Sequence, residues 1–150
     1  MYEFLLFIHV LAAVIWVGGG ITVNILGDRL VKETNPDALA GFVRQTAFVG
    51  SRVYAPVSAL LFIAGVFMVL DRWDFQDLWI AIGVVGFLYS FITGAAILGP
   101  LSGKTGKLIE EQGADDPKVV SNIKKLFMFG RVEAVVMIIV IAAMTVKPTL

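Results

Sequence analysis

The chain has one histidine, His9, inside the apolar run FIHVLAAVIWVGGG, with Trp16 seven residues further on. An imidazole at such a place is a candidate ligand for haem iron or copper, and an ionisable group in apolar surroundings is by default a functional hypothesis; the competing reading is a packing residue, a neutral imidazole hydrogen-bonded to a carbonyl. The methionines supply the complementary chemistry, because a thioether is an axial ligand of haem iron and suits reduced copper. If residues 4–27 form a helix, His9 lies ~9 Å below its start near Glu3, while Met137 and Met144 lie ~13 Å and ~3 Å from the end of a last helix near Val146. Imidazole and thioether can then share a layer, with Met68 shallow on the same side. Each methionine also has a packing reading, since flexible thioethers commonly fill gaps between helices.

Arg131 and Glu133 form a second polar group, approached in depth by Asn24, Asp28, Arg52 and Tyr54. Being two apart on a helix, they face different directions and do not pair mainly with each other. The cluster suits a proton path or an anchor for an anionic group such as a haem propionate. The competing reading of Arg131 is a structural ion pair or a side chain snorkelling to headgroups. On the first helix His9, Ala13, Trp16, Gly20 and Asn24 recur at steps of three or four and make one stripe. Its small residues admit a close helix or a flat ligand, and Trp16 joins His9 as a cofactor-binding candidate.

The elements that hold these residues follow from composition. Hydrophobic residues make up 58% of the chain and charged residues 16%, more apolar matter than a soluble domain of 150 residues needs for one core. The chain is expected to be one integral membrane domain over 1–150, in contact with the lipid bilayer. Twelve basic and twelve acidic side chains cancel, so no net field recruits nucleic acid. There is no cysteine, hence no disulfide, thiolate metal site or cysteine nucleophile. No serine or threonine stands in a motif with a base, which leaves hydrolase chemistry without support.

Four apolar segments, 4–27, 53–70, 78–98 and 126–146, each span ~27 to 36 Å as helices at ~1.5 Å per residue. That matches a hydrocarbon core of about 30 Å, and the continuous runs lack the alternation of a membrane barrel. Arg29, Lys32, Arg44 and Arg52 follow the first segment, and Lys104, Lys107, Lys118, Lys124 and Lys125 follow the third; only Arg72 and Lys147 lie on the opposite side. The positive-inside rule then puts both long loops in the cytoplasm and both termini outside a plasma (inner) membrane.

The long loops read as helical extensions. Asn35-Pro36 is a cap with proline at the first helical position, Asp115-Asp116-Pro117 starts the last helix, and Gly113 stops an extension of the third. DRWDFQD is short enough to make helices two and three an antiparallel hairpin, with Trp73 and Trp79 at the outer interface. The expected fold is all-α, an up-and-down four-helix membrane bundle with helical cytoplasmic extensions. GPLSGKTGK has three residues between Gly99 and Gly103 where a phosphate-binding loop needs four, and no strand precedes it, so it reads as a flexible basic turn.

HVLAAVIWVGG on the first helix and AAMTVKP closing the last resemble the uncharacterised family of small integral membrane proteins related to copper resistance protein D and HemJ-type protoporphyrinogen oxidases. The resemblance covers the whole chain. It implies a four-helix membrane bundle with His9 as the haem ligand. The chain departs from those oxidases in helix three, which has no charged residue between Leu78 and Leu98.

Three functions are open on this reading. One is a redox protein holding haem b, or copper, through His9, with a methionine or a second subunit's histidine as the other ligand. Another is a cofactor-free accessory subunit, in a homo-oligomer or beside another membrane subunit, using the small-residue stripe and Gly83 to Gly86 as contact surfaces. The third is a small transporter or ion-handling protein built on Arg131 and Glu133.

Overall fold

The computed structural model describes residues 1–32 and 35–149. Among these, four helices are long and apolar enough to cross a bilayer: α1 Tyr2–Lys32, α2 Asp37–Arg72, α3 Leu78–Gln112 and α4 Pro117–Val146. No described residue lies in a strand. The result is an all-helical up-and-down bundle. Its outward side chains are large and apolar, among them Phe4, Phe7, Leu60, Val85 and Ile139, which is the surface that lipid solvates.

Helices of 30 to 36 residues span ~45 to 54 Å, well beyond a hydrocarbon core of about 30 Å. The excess forms helical extensions at the long-loop end, as their caps dictate. The Asn35 side chain accepts from the Ala38 N–H at 3.1 Å, and the Asp116 carboxylate accepts from the Lys118 N–H at 2.8 Å, each quenching an orphan donor of a first turn. Gly113 stops α3 at φ +85°, a conformation that favours glycine. Leu39, Val43, Ile109, Val119 and Ile123 close this end as an apolar cluster.

The stretch GPLSGKTGK is not the flexible turn its composition suggests. It lies in the α-helical segment Gly99–Gln112, whose Ser102, Thr105 and Ile109 are buried at steps of three and four. The Ser102 hydroxyl donates to the Val43 carbonyl at 3.2 Å. Packing against the neighbouring helices outweighs the low helix propensity of the glycines.

At the opposite end, Trp73 and Trp79 meet edge to face at 5.1 Å across the short α2–α3 connection. The Lys147 ammonium lies 4.1 Å over the Trp73 ring, and the Trp73 indole N–H donates to the Tyr2 hydroxyl at 3.3 Å. Aromatic rings with polar handles suit the level where apolar core meets headgroups.

Between these ends the helices change partners. In the half nearer the termini α1 packs on α2 and α3 on α4; in the long-loop half α1 turns to α4 and α2 to α3, while α3 keeps its contact with α4. Three π turns mark the exchange: Val14–Gly18 in α1, Gly50–Tyr54 in α2 and Thr93–Leu98 in α3. Two of them have a plain cause. Pro56 and Pro100 lack the N–H that would reach the carbonyl four residues back, and a proline ring crowds that carbonyl. The chain widens instead, with the Ala55 N–H bonded to the Gly50 carbonyl and the Gly99 N–H to the Gly94 carbonyl, the local adjustment by which membrane helices accommodate proline. The turn in α1 runs directly into Gly18-Gly19-Gly20.

Candidate functional site: a cavity at the partner exchange

Where the helix pairs separate, they leave a cavity of about 550 Å³, within the range of roughly 300 to 1,000 Å³ usual for small-molecule sites. All three π turns contribute to its wall, through Trp16 and Val17, Gly50 and Tyr54, and Gly94 and Leu98. Such turns recur at functional sites because the inserted residue re-aims the side chains around it. Trp16 and Phe91 bring rings to its wall; beyond the lining, Trp16 lies 5.7 Å from Phe87, edge on, and Phe87 stacks on Phe62 at 4.7 Å. Toward the long loops it is floored by Phe42, Val43, Ile123 and Phe127.

The wall is mainly apolar, with serine, threonine and asparagine side chains set into it and one charged residue, Glu133. Among the described residues, two buried side-chain oxygens have no hydrogen-bond partner, Ser90 Oγ and Glu133 Oε2. Both residues belong to this wall, one from α3 and the other from α4. A buried polar atom without a partner is costly, the more so for a carboxylate at membrane depth, and the few that persist in folded proteins call for a specific explanation.

The residues singled out from sequence separate into distinct places. Trp16 and Met137 come together at the cavity, and Met137 is 7% exposed. His9 is not at its wall. Its Nδ1–H donates to the Leu61 carbonyl at 2.9 Å, and its ring lies against Gly65, where an added Cβ would come within 3.1 Å of Cε1. Donation from Nδ1 leaves Nε2 as the nitrogen available for another partner, the arrangement that orients ligating histidines.

Met144 is engaged elsewhere: its terminal methyl occupies the space beside Gly83 of α3. His9 is thus held by α2, Met144 by α3 and Met137 at the cavity, and the structure does not gather them into one ligand set. His9 fits as a single oriented nitrogen donor, with Met137 and Met144 engaged elsewhere and Met68 buried on α2, the helix that holds its ring. No group of three His, Asp or Glu side chains among the described residues is disposed to hold a metal ion.

Arg131 points away from the cavity. Its Nη2 donates to both Asp28 carboxylate oxygens at 2.8 Å, tying α4 to α1. Glu133, two residues on, takes the other face. Asn24, at the far end of the α1 stripe, occupies the space that Gly130 of α4 leaves free, and Gly83 and Gly86 seat Met144 and Val140. Gly83 and Gly86, read as a contact surface, serve contacts inside the chain, whereas Gly20 of the stripe borders the cavity, with no atom within 4 Å of an added Cβ.

Sequence reasoning missed Ser90 and the aromatic lining. The signals were present: Ser90 in the apolar run GFLYSFI, Pro56 inside the second apolar segment and Pro100 just past the third. Their convergence on one space depends on which helices pair at which depth, a relation that periodicity along one helix does not carry.

No curated protein and no solved structure matches the chain. Residues 3–148 match the family described as "Predicted integral membrane protein (DUF2269)", and the chain belongs to that family.

Proposed function

We propose that the protein binds a small membrane-soluble molecule in the cavity between its four helices, with Glu133 and Ser90 meeting the polar end of that molecule. The observation that carries this reading is the coincidence of the two unpartnered buried oxygens, Ser90 Oγ and Glu133 Oε2, at the wall of one mostly apolar cavity. A ligand with a hydrogen-bonding head and an apolar body would satisfy both atoms and fill the space. This develops the ion-handling reading with Glu133 as its working group and Arg131 as part of the frame.

Native mass spectrometry of the protein released from mild detergent tests the proposal. Gly94 lines the cavity, and a Cβ placed there meets no atom within 4 Å, so Gly94→Leu should fill the space without breaking the bundle. The expected result is a discrete bound mass on the wild-type protein that is lost in Gly94→Leu while helicity is retained. Identical adducts on both proteins would overturn the reading.

The second reading is haem b, or copper, held through His9, in keeping with a relation to the copper resistance protein D and HemJ-type group. The bond from Nδ1 to Leu61 favours it, since it fixes the ring and leaves Nε2 for a metal. A further ligand would then come from a second copy or another membrane subunit. Haem, when bound, supplies one-electron redox chemistry. A reduced visible spectrum with sharp alpha and Soret bands, abolished by His9→Ala, is the result this reading requires; a spectrum unchanged by the substitution would remove His9 as ligand.

A further inference from the structure

The cavity's one charged wall residue is an acid, and no lysine, arginine or histidine stands with it among the described residues. The nearest guanidinium in sequence, that of Arg131, is committed to Asp28. A carboxylate at this depth lacks a counter-charge from the protein, whereas intramembrane charges normally find a partner. The rest of the wall favours the same sign of ligand. Trp16, Phe42, Tyr54, Phe91 and Phe127 bring aromatic side chains to it from all four helices. Aromatic faces attract cations, most strongly when water is excluded, and several rings around one space form the kind of cage that recognises quaternary ammonium groups.

We infer that the occupant of the cavity is a lipophilic monovalent cation, with its charge set against Glu133 and its apolar body against the ring-lined wall. The inference rests on the reading of the cavity as a ligand site and adds the sign of the ligand's charge. An anionic amphiphile, or a phospholipid headgroup with its phosphate, finds no basic side chain at this wall and would meet the Glu133 carboxylate as a like charge. A neutral amphiphile could bond to Ser90 and to the protonated acid, but it would make no use of the aromatic faces around the space, which favour a cation.

The two spherical ions tetraphenylphosphonium and tetraphenylborate have nearly the same shape and opposite charge, so together they separate charge recognition from apolar fit. Each is measured alone by equilibrium dialysis against the full chain in neutral detergent, with wild type, Glu133→Gln and Gly94→Leu in parallel. The expected result is saturable binding of tetraphenylphosphonium near one per chain, weakened at least tenfold by Glu133→Gln and abolished by Gly94→Leu. Tetraphenylborate should show no saturable binding.

Equal affinity for the two ions, or unchanged tetraphenylphosphonium binding in Glu133→Gln, would overturn the cationic ligand. If Gly94→Leu still abolished that binding, the cavity would remain the site with another ligand class. Binding indifferent to Gly94→Leu would sink the cavity reading as well. No saturable binding of tetraphenylphosphonium to the wild type would overturn the inference outright, and the bound mass seen in native spectra would then decide the cavity reading separately.

Discussion

Arg131 of α4 offers one guanidinium nitrogen to both carboxylate oxygens of Asp28 of α1, each at 2.8 Å. The side chains are 65% and 38% exposed, so solvent and salt screen the pair and its net worth is about 1 kcal/mol or less. Arg131→Gln should lower the thermal midpoint slightly and leave tetraphenylphosphonium affinity where it is. The double exchange Asp28→Arg with Arg131→Asp should recover what either single change loses. A large loss of ligand binding in Arg131→Gln would return Arg131 to the site.

The contact of α3 with α4 gives a contrast between two glycines of one short motif. A Cβ at Gly86 would collide with the branched side chain of Val140, and one at Gly83 with the terminal methyl of Met144. Valine is stiff at χ1, whereas methionine has three rotatable bonds with which to yield. Gly86→Ala should therefore cost about 1 to 3 kcal/mol in a reversible detergent unfolding series, and Gly83→Ala clearly less. Val140→Ala should rescue the former; equal penalties at both positions would mean that the helices separate as a whole.

Much of this architecture is written locally, and that part was legible in the sequence. Asn35 and Asp116 announce helix starts, Gly113 a stop, and uninterrupted apolar runs the spans, because each depends on backbone groups within a turn or two. The separation of Arg131 from Glu133 followed from helical geometry alone. Met137 and Met144 were not gathered beside His9, because depth along a helix fixes one coordinate only. α1 turns His9 toward α2, and α4 turns Met144 toward α3. The cavity was hidden for the same reason, as it arises from an exchange of partners between helix pairs. GPLSGKTGK misled in the other direction: its glycines speak for a turn, while burial of Ser102, Thr105 and Ile109 holds it helical.

Orientation in the membrane can be tested directly because the chain has no native cysteine. Gln76 in the α2–α3 connection and Asp115 before α4 are both exposed. Nine lysine and arginine residues flank the long-loop side, Arg29, Lys32, Arg44, Arg52, Lys104, Lys107, Lys118, Lys124 and Lys125, against Arg72 and Lys147 on the other. With that bias the positive-inside rule predicts that Gln76→Cys reacts with an impermeant maleimide added to intact cells, and that Asp115→Cys reacts only after lysis. The reverse pattern would place the long loops outside and invert the side to which the cavity floor belongs.

Pro100 cannot donate to the Ala96 carbonyl, and the π turn Thr93–Leu98 just before it carries Gly94, Ala95 and Leu98 at the cavity wall. Pro100→Ala restores the missing donor and removes the ring's crowding, so the strain that favours the widened turn is gone. Closing that turn to α geometry would rotate the wall residues by about 100° relative to the following segment. The variant should unfold at a higher temperature and bind tetraphenylphosphonium several-fold more weakly. Stability and site would thus move in opposite directions, as expected where a local irregularity is kept for function. Pro117→Ala is the control: proline at the first position of α4 lacks only a donor that has no helical acceptor there, and its replacement should change affinity little. If Pro100→Ala left both the melting temperature and the affinity unchanged, the π turn would owe its shape to packing against α4, and the proline would be only its neighbour.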